Sequence, residues 1–417
     1  MKRPFVFYLL FFSLLAIPVF GQIKKVVSVV DIPLKYRDSI LQLVPIPYFD
    51  TSSAEGQRYG IMPTFLWYDK DPKTGKASEN VHTVLVTAFT YNPQVVKFGG
   101  LLGLFLYPSA KERLEIFLLG SQKYEQDFDF HYINGSRDDD LLTFETRLEY
   151  QQDPFERFFG FGPDTPRSNE SNFVSHHWIG YVRTAYEIFK DFDVQLEEDW
   201  KRMRVLPRAL PALNDTSTFF AGSNEVGSFN QWTHTFSLVW DTRDDEVFPK
   251  TGSYLQGYGL LSHQVMNANR VFHGTGAVAK HIFTLGERFT TMIHFRLDEL
   301  FGDTIPFYLQ PRLGGPVAHR GFIEGRFTGH GRFLLDLEER IFVKNWNIMD
   351  AKFGVSIDPF FSVGQVFNRW EQVQFSNLKP LGGVGFRAVI PPSVLGRVDI
   401  GFSEEGMEIY TALDYPF

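Results

Sequence analysis

Apolar and polar side chains alternate with a period of two through much of the chain. Residues 142–150 show the pattern well: one face carries Leu142, Phe144, Leu148 and Tyr150, and the other carries Thr143, Glu145, Arg147 and Glu149. Successive side chains of a β-strand point to opposite faces, so this alternation predicts strands with one apolar and one charged face. The same pattern over residues 192–201 and 291–298 favours a protein built mainly from sheet.

The composition decides which kind of sheet protein this is. The chain has 44 Phe, 17 Tyr and 7 Trp but no Cys, and no stretch after residue 22 is apolar for the ~20 residues that a membrane-spanning helix needs. We therefore predict an all-β, antiparallel transmembrane β-barrel, with apolar side chains facing lipid and charged side chains facing a wet lumen. The alternating segments predict sixteen strands within residues 59–417, and an even number is expected of a closed bacterial barrel.

The N-terminal residues indicate export. Residues 1–21 have a basic start, an apolar run over residues 5–20 and small residues before the expected cleavage site, which is the pattern of a signal peptide. The alternative is a membrane anchor, but Pro18 interrupts the run, which is short for a span. Residues 22–58 are predicted to be a short, irregular periplasmic segment. The expected location is the outer membrane of a bacterial cell, in contact with its lipid.

One glycine-rich stretch, Pro311–Gly331, lies between segments with clear strand alternation. Its glycines exclude a regular strand or helix, so it is predicted to be a long loop. Arg320 stands near its centre, between His319 and Gly321-Phe322. We expect the loop to fold inward, where the Arg320 guanidinium needs a carboxylate because an unpaired buried charge is costly. The alternative is an external loop with Arg320 in water.

The C-terminal strand also carries a signal. Counting back by twos from the last residue places apolar side chains on one face, including Leu413, Tyr415 and Phe417. A terminal strand ending in an aromatic residue resembles the signal that the outer-membrane assembly machinery recognises. We therefore expect that machinery to insert this chain.

Several motifs resemble those of the BamA/TamA-type superfamily of bacterial surface antigen barrels. The stretch from His319 to Phe322 is similar to the family's Val-Arg-Gly-Phe/Tyr loop motif. The other motif positions are Asp241, Arg243, Asp244 and Gly252 in a hairpin, Arg340 in the strand after the loop, and Arg387, Arg397 and Asp399 near the end. The order and spacing of the motifs identify the barrel, residues 59–417, as a member of this family.

The chain departs from the family pattern at two places. Ser362 stands where members often have the aspartate that pairs with the loop arginine, so Glu338 and Asp358 become the candidate partners of Arg320. We call this predicted contact the Arg320 lock. Members also carry polypeptide-transport-associated (POTRA) domains before the barrel, and residues 22–58 are too few for one. The chain is therefore predicted to be a short member without POTRA domains.

The resemblance implies a role in protein insertion, assembly or translocation at the outer membrane, with periplasmic or outer-membrane assembly proteins as partners. The alternative is a passive pore or a structural barrel. No Gly-x-Ser-x-Gly motif occurs, so we expect no enzyme activity. Adjacent strand residues such as His176 and His177 point to opposite faces, so no metal or cofactor is expected. A net charge of −8 without a basic patch does not favour nucleic-acid binding.

Overall fold

Antiparallel strands and their connections make up the described part of the chain in a computed structural model. It describes residues 39–412 except 53, 71–72, 74, 76, 110–111, 136–140, 221–226, 246–247, 265–270, 303–304, 349–350 and 391–393. The strands are β1 (Ser39–Ser52), β2 (Gly56–Lys70), β3 (Ala77–Asn92), β4 (Lys97–Ser109), β5 (Glu112–Ser121), β6 (Gln126–Asn134), β7 (Leu142–Phe158), β8 (Ser171–Phe189), β9 (Phe192–Leu206), β10 (Asn214–Asp215), β11 (Ser228–Asp241), β12 (Gly252–Gln264), β13 (Phe272–Leu285), β14 (Phe289–Phe301), β15 (Arg312–Leu313), β16 (Phe327–Thr328), β17 (Gly331–Ile348), β18 (Ala351–Phe367), β19 (Lys379–Ile390), β20 (Val394–Ser403) and β21 (Gly406–Ala412). Five short 3-10 turns lie in the described connections.

The long strands form one sheet in which each strand is antiparallel to the next along the chain. The short β10 adds to β8 in parallel, and β15 pairs with β16 as a separate two-residue hairpin. Residues of β1 and β21 approach each other with Cα atoms within 8 Å, so the two ends of the sheet are neighbours. Among the described residues, no strand ladder joins them.

The predicted number of sixteen strands is wrong. In the described part of the chain, eighteen of the twenty-one strands are long and three have two residues. The first missed strand is β1, which lies within the segment predicted to be irregular, residues 22–58. Pro45 and Pro47 there indicated a break, but proline is compatible with a strand at a sheet edge. The second is β6, which lies between two segments, 112–124 and 139–150, that were predicted to be consecutive strands.

The two faces of the sheet differ in character. On β17, Leu335 and Leu337 are exposed, whereas Asp336 and Glu338 between and beside them are buried. On β18, Phe361 is exposed and its neighbour Ser362 is buried. On β17 and β18 one face is therefore apolar and exposed and the other is polar and buried, as the alternation predicts, whereas the buried face of β1 to β3 carries an apolar cluster that includes Val44 and Leu66.

The connections differ in length at the two rims. Because neighbouring strands run in opposite directions, every second connection lies at the same rim. The connections β7–β8, β9–β11, β14–β17 and β18–β19 share one rim, which we call the long-loop rim. The opposite, short-turn rim includes the turns at 190–191 and 286–288. Phe158, Phe173 and Phe307 pack together at the long-loop rim and give it an apolar core.

Candidate functional site: an arginine–carboxylate cluster under a glycine-rich loop

The backbone of the loop between β14 and β17 bends back on itself. Gly314 N–H donates to Ala318 O at 2.9 Å, and Gly315 N–H donates to Phe322 O at 3.0 Å. Gly314 has a φ of 103°, and a Cβ atom there would lie 2.1 Å from Ile323 O. Only glycine fits this close approach, which shapes residues 316–322 into a tip.

The tip packs on the polar face of β17–β20. Phe322 is fully buried against Leu334, Phe360 and Leu381. His319 stacks on the Phe322 ring with centroids 5.0 Å apart, and its Nδ1 lies 2.9 Å from Ser362 Oγ. Burial lowers the pKa of His319, a loop residue, to about 4. The imidazole is therefore neutral at pH 7.

Arg320 binds two carboxylates on different strands. One guanidinium nitrogen donates to Glu338 Oε2 of β17 at 2.8 Å, and the other donates to Asp399 Oδ1 of β20 at 3.0 Å. The guanidinium carbon also lies 3.8 Å from the centre of the Phe360 ring. The side chain is 2 % exposed. Arg320 thus connects two strands that have two others between them.

Further ion pairs extend this contact into a cluster of seven buried residues. We call Arg320, Arg340, Arg387, Arg397, Glu338, Asp358 and Asp399 the arginine–carboxylate cluster. Asp399 also receives bonds from Arg387 at 2.7 Å and from Arg397 at 2.6 Å. Four guanidinium groups thus face three carboxylates, and each buried charge has an opposite charge within 4 Å, which lowers the cost of its burial.

The loop is held at a second point by backbone contact. Arg397 donates to Pro316 O at 2.9 Å while it binds Asp399. Gly401 on β20 has no side chain between the strand and the loop, and a Cβ atom there would lie 2.3 Å from Arg320 O. A glycine inside a strand often marks such an approach of another backbone segment. Gly401 therefore allows the tip to reach the carboxylates.

Of the two predicted partners of Arg320, the structure brings one into contact with it and places the other beside a different arginine. It places Glu338 against Arg320, whereas Asp358 Oδ2 lies 3.4 Å from Arg387 Nε. The second partner of Arg320 is Asp399, which the sequence indicated only as a strand motif. Ser362, in the place of the family's aspartate, contacts His319 instead. In this chain Arg320 therefore pairs with carboxylates of β17 and β20.

The hairpin motif between β11 and β12 separates into two parts. Asp241 and Arg243 form a bidentate pair with distances of 2.8 Å and 2.7 Å, and both are mostly buried. Asp244 is exposed and accepts the N–H of Lys250 at 2.8 Å, so it stabilises the turn. Gly252 has a φ of 110°, which a side chain would strain. The predicted signal peptide, residues 1–21, and the C-terminal signal at Leu413, Tyr415 and Phe417 lie outside the described residues.

A second buried arginine in the loop was not predicted. Arg326 donates to Glu405 in the β20–β21 turn at 2.7 Å and to Thr165 O in the β7–β8 loop at 2.6 Å. Its guanidinium also lies 4.9 Å from the Phe159 ring centre. Arg326 thus ties three connections together at the long-loop rim. The available signal was that Arg326, like Arg320, lies in the glycine-rich stretch and has a glycine and a phenylalanine close by, Gly325 and Phe327.

Other kinds of site find no basis in the described residues. No group of three or more histidine, aspartate or glutamate side chains there is arranged to hold a metal ion. No helix within the described ranges is long and apolar enough to cross a membrane.

An antiparallel sheet with an apolar outer face, and a loop docked on its polar face, defines an outer-membrane β-barrel fold. A family model for the Omp85 superfamily domain matches residues 112–388. The chain belongs to the Omp85 superfamily, and the resemblance to BamA/TamA-type barrels is confirmed. A comparison with curated proteins gives no match.

Solved structures align with this chain at low identity. BamA from Haemophilus ducreyi lacking POTRA domains 1–3 aligns with a TM-score of 0.51 and 11% identity, over 88% of this chain and 75% of that chain. CdiB from Acinetobacter baumannii aligns with a TM-score of 0.44 and 10% identity, over 90% and 60%. OccK11 from Pseudomonas aeruginosa aligns with a TM-score of 0.41 and 9% identity, over 90% and 93%.

Proposed function

We propose that this protein is a closed barrel in the bacterial outer membrane that assists the insertion or translocation of other proteins. Membership of the Omp85 superfamily supports this role. The observation that carries it is the boundary between β1 and β21, which we call the seam. The two strands are neighbours there, but no ladder joins them among the described residues. A seam of this kind can open to admit an incoming strand.

Prolines make the β1 side of the seam a poor donor of hydrogen bonds. Pro45 of β1 lies opposite Pro63 of β2. Opposite residues of an antiparallel pair exchange two hydrogen bonds or none, and neither proline has an N–H. The amide side of Pro45 therefore points away from β2 and toward the seam. The carbonyl of Pro63 correspondingly points toward β3, where the Thr87 hydroxyl donates to it at 3.1 Å.

The gap in donors is long. Pro47 stands two residues after Pro45, so its amide side also faces the seam. The nearest seam-facing N–H groups then belong to Leu43 and Phe49, which are about 20 Å apart at 3.3–3.4 Å per residue. Because these donors are missing, pairing with β1 provides β21 with fewer backbone hydrogen bonds than pairing with β20 does. The seam is thus the weakest boundary of the barrel that we propose.

In the same proposal, the polar face lines the lumen and the loop after β14 folds into it. Arg320 holds the loop there through Glu338 and Asp399. Arg326 joins connections at the long-loop rim and narrows that opening. These contacts favour an insertion or translocation role over the alternative, a passive pore. We propose periplasmic or outer-membrane assembly proteins as partners, and we expect no enzyme activity.

The test restores the missing donors. A Pro45→Val and Pro47→Val double variant supplies two N–H groups at the seam, and backbone hydrogen bonds contribute about 1 kcal/mol each. We expect the variant to be more heat-stable by about 2 kcal/mol and slower in insertion. Insertion is measured with proteoliposomes and a urea-unfolded eight-stranded outer-membrane barrel as the probe, and folding is followed by protection from protease.

The matched control is Pro63→Val, whose new N–H faces β3 rather than the seam. It should leave the insertion rate unchanged. Equal rates for the native protein and empty liposomes would refute the insertion role. A stable, steady ion current of the native protein in planar bilayers, together with no insertion, would favour the passive pore.

A further inference from the structure

A polar cavity lies on the inner face of the sheet, on the side of the loop tip opposite the arginine–carboxylate cluster. Its volume is about 450 Å³, and it is lined by strands β6 to β9, β12 to β14 and β17 together with Val317 and Ala318 of the tip. Such a volume is typical of sites for small molecules.

The charged groups that reach the cavity are mainly cations. Its lining includes Arg183, Arg243, Lys280, Arg296 and Arg332 but one carboxylate, Glu145. Glu145 pairs with Arg183 at 2.8 Å. On the opposite wall the Arg296 side chain is 40 % exposed and its partner Asp298 is 7 % exposed. The Arg296 guanidinium therefore projects into the space, and its counter-ion lies deeper in the wall.

The wall formed by β13, β14 and β17 has more positive than negative charge. Asp298 serves two arginines, since its Oδ2 lies 2.8 Å from Arg296 Nε and 2.5 Å from Arg332 Nε. The Tyr258 hydroxyl also donates to Asp298. One carboxylate can balance one guanidinium, so this group has one positive charge in excess.

Lys280 adds a second uncompensated charge. No carboxylate lies within 4 Å of its ammonium group among the described residues, and its Nζ is 5.4 Å from the centre of the Tyr254 ring. Arg243, Arg296 and Arg340 repel it at longer range, and Asp241 attracts it. Charged groups removed from bulk water are normally paired, so Lys280 lacks the partner that its position requires.

We propose that this cavity binds a water-soluble oxyanion of the phosphate type, held by Lys280, Arg296 and Arg332. When Asp336, whose carboxylate lies 3.0 Å from His294 on the same wall, is counted with Asp298, the cations exceed the carboxylates by one, and an oxyanion balances this excess. Arginine forks match the oxygens of phosphate, and a lysine adds a point charge. The cavity lies on the face opposite the exposed apolar side chains, so the ligand is soluble rather than a lipid headgroup.

The test measures inorganic phosphate binding to the purified full-length protein in detergent at pH 7. We expect saturable binding by titration calorimetry, and a higher unfolding temperature in phosphate than in chloride of equal ionic strength. Lys280→Gln should weaken phosphate binding by at least about tenfold, because hydrogen bonds to charged groups contribute 1.5–3 kcal/mol. Lys280→Arg keeps the charge and should retain binding.

The control is Lys190→Gln, which changes the same charge in an exposed turn at the short-turn rim. Its phosphate affinity should equal that of the native protein. If Lys280→Gln does not fold, Arg296→Gln tests the same wall, because its exposed side chain leaves no buried gap and Arg332 still neutralises Asp298. Phosphate and chloride with equal effects, or equal affinity of the cavity variant and the native protein, would overturn the proposal.

Discussion

Replacing Arg320 by methionine tests the Arg320 lock directly. Methionine has a similar length and can remain on the Phe360 ring, so the change removes the charge with little loss of volume. Glu338 and Asp399 are both completely buried. Neither carboxylate can turn to water when its partner is lost. The variant therefore leaves buried negative charge with fewer donors.

The remaining contacts set the size of the effect. Removing one member of a buried ion pair typically costs 3–5 kcal/mol. Asp399 keeps Arg387 at 2.7 Å and Arg397 at 2.6 Å, whereas Glu338 keeps only longer contacts, to Arg340 at 3.4 Å and Arg387 at 3.6 Å. We therefore expect the lower end of the range, a loss of about 3 kcal/mol in the free energy of unfolding.

Two quantities are measured: the urea midpoint of unfolding in detergent, and the sample temperature above which the compact, fast-migrating form disappears in gel electrophoresis. Arg320→Lys keeps the charge but not the two-pronged geometry, so its stability should lie between those of the native protein and Arg320→Met. Arg288→Met, in the exposed turn between β13 and β14, is the control and should change little. An Arg320→Met protein with the native urea midpoint and gel behaviour would contradict the lock.

Two other variants test the surroundings of this contact. The folded-state pKa of His319 is about 4, below the ordinary 6.5. The neutral imidazole therefore contributes its full share to the stability of the fold above pH 6.5, and this contribution is lost as the pH falls toward 4. Acidification from pH 7 to pH 5 should lower the free energy of unfolding by about 2 kcal/mol in the native protein and by much less in His319→Asn. Residue 319 has a φ of 71°, a left-handed conformation that asparagine tolerates. Equal urea midpoints of the native protein at both pH values would exclude this linkage. Gly401→Ala should lower the free energy of unfolding by about 1–3 kcal/mol, because the new methyl group displaces the loop. The control is Gly396→Ala on the same strand, whose Cβ atom would meet no atom closer than 4.0 Å and which should be neutral. Equal stabilities of the two variants would show that the tip does not press on β20.

The alternation of residue types was sufficient for the class of fold but not for the strand count. Period two shows which residues share a face, and this distinguishes Glu338 and Ser362 from their exposed neighbours. It does not show that a proline-containing segment can be a strand, because proline normally removes a ladder bond. In β1 the missing donors face the seam, where no described ladder needs them. Only the pairing with β2 reveals this.

The site was predicted to the extent that strand periodicity allows. The glycine content predicts the loop and its arginine, and the strand face predicts Glu338 as a partner. The pairing of Arg320 with Asp399 rather than Asp358 could not be predicted, because it depends on the stagger between β18, β19 and β20, which a single sequence does not show. Gly401 was the missing signal: it lies two residues after Asp399, on the same face, and marks where the loop backbone reaches β20.

The loop contacts also determine which side of the seam is free to move in the proposed mechanism. The tip binds β17 and β20 through Arg320, and the Tyr410 hydroxyl of β21 donates to Phe322 O at 2.7 Å. The last strand is thus fixed to β20 by its ladder and to the loop by this bond. β1 has its ladder with β2 on one side and the proline gap on the other. Opening of the seam should therefore displace β1 and β2, while β21 stays with the loop.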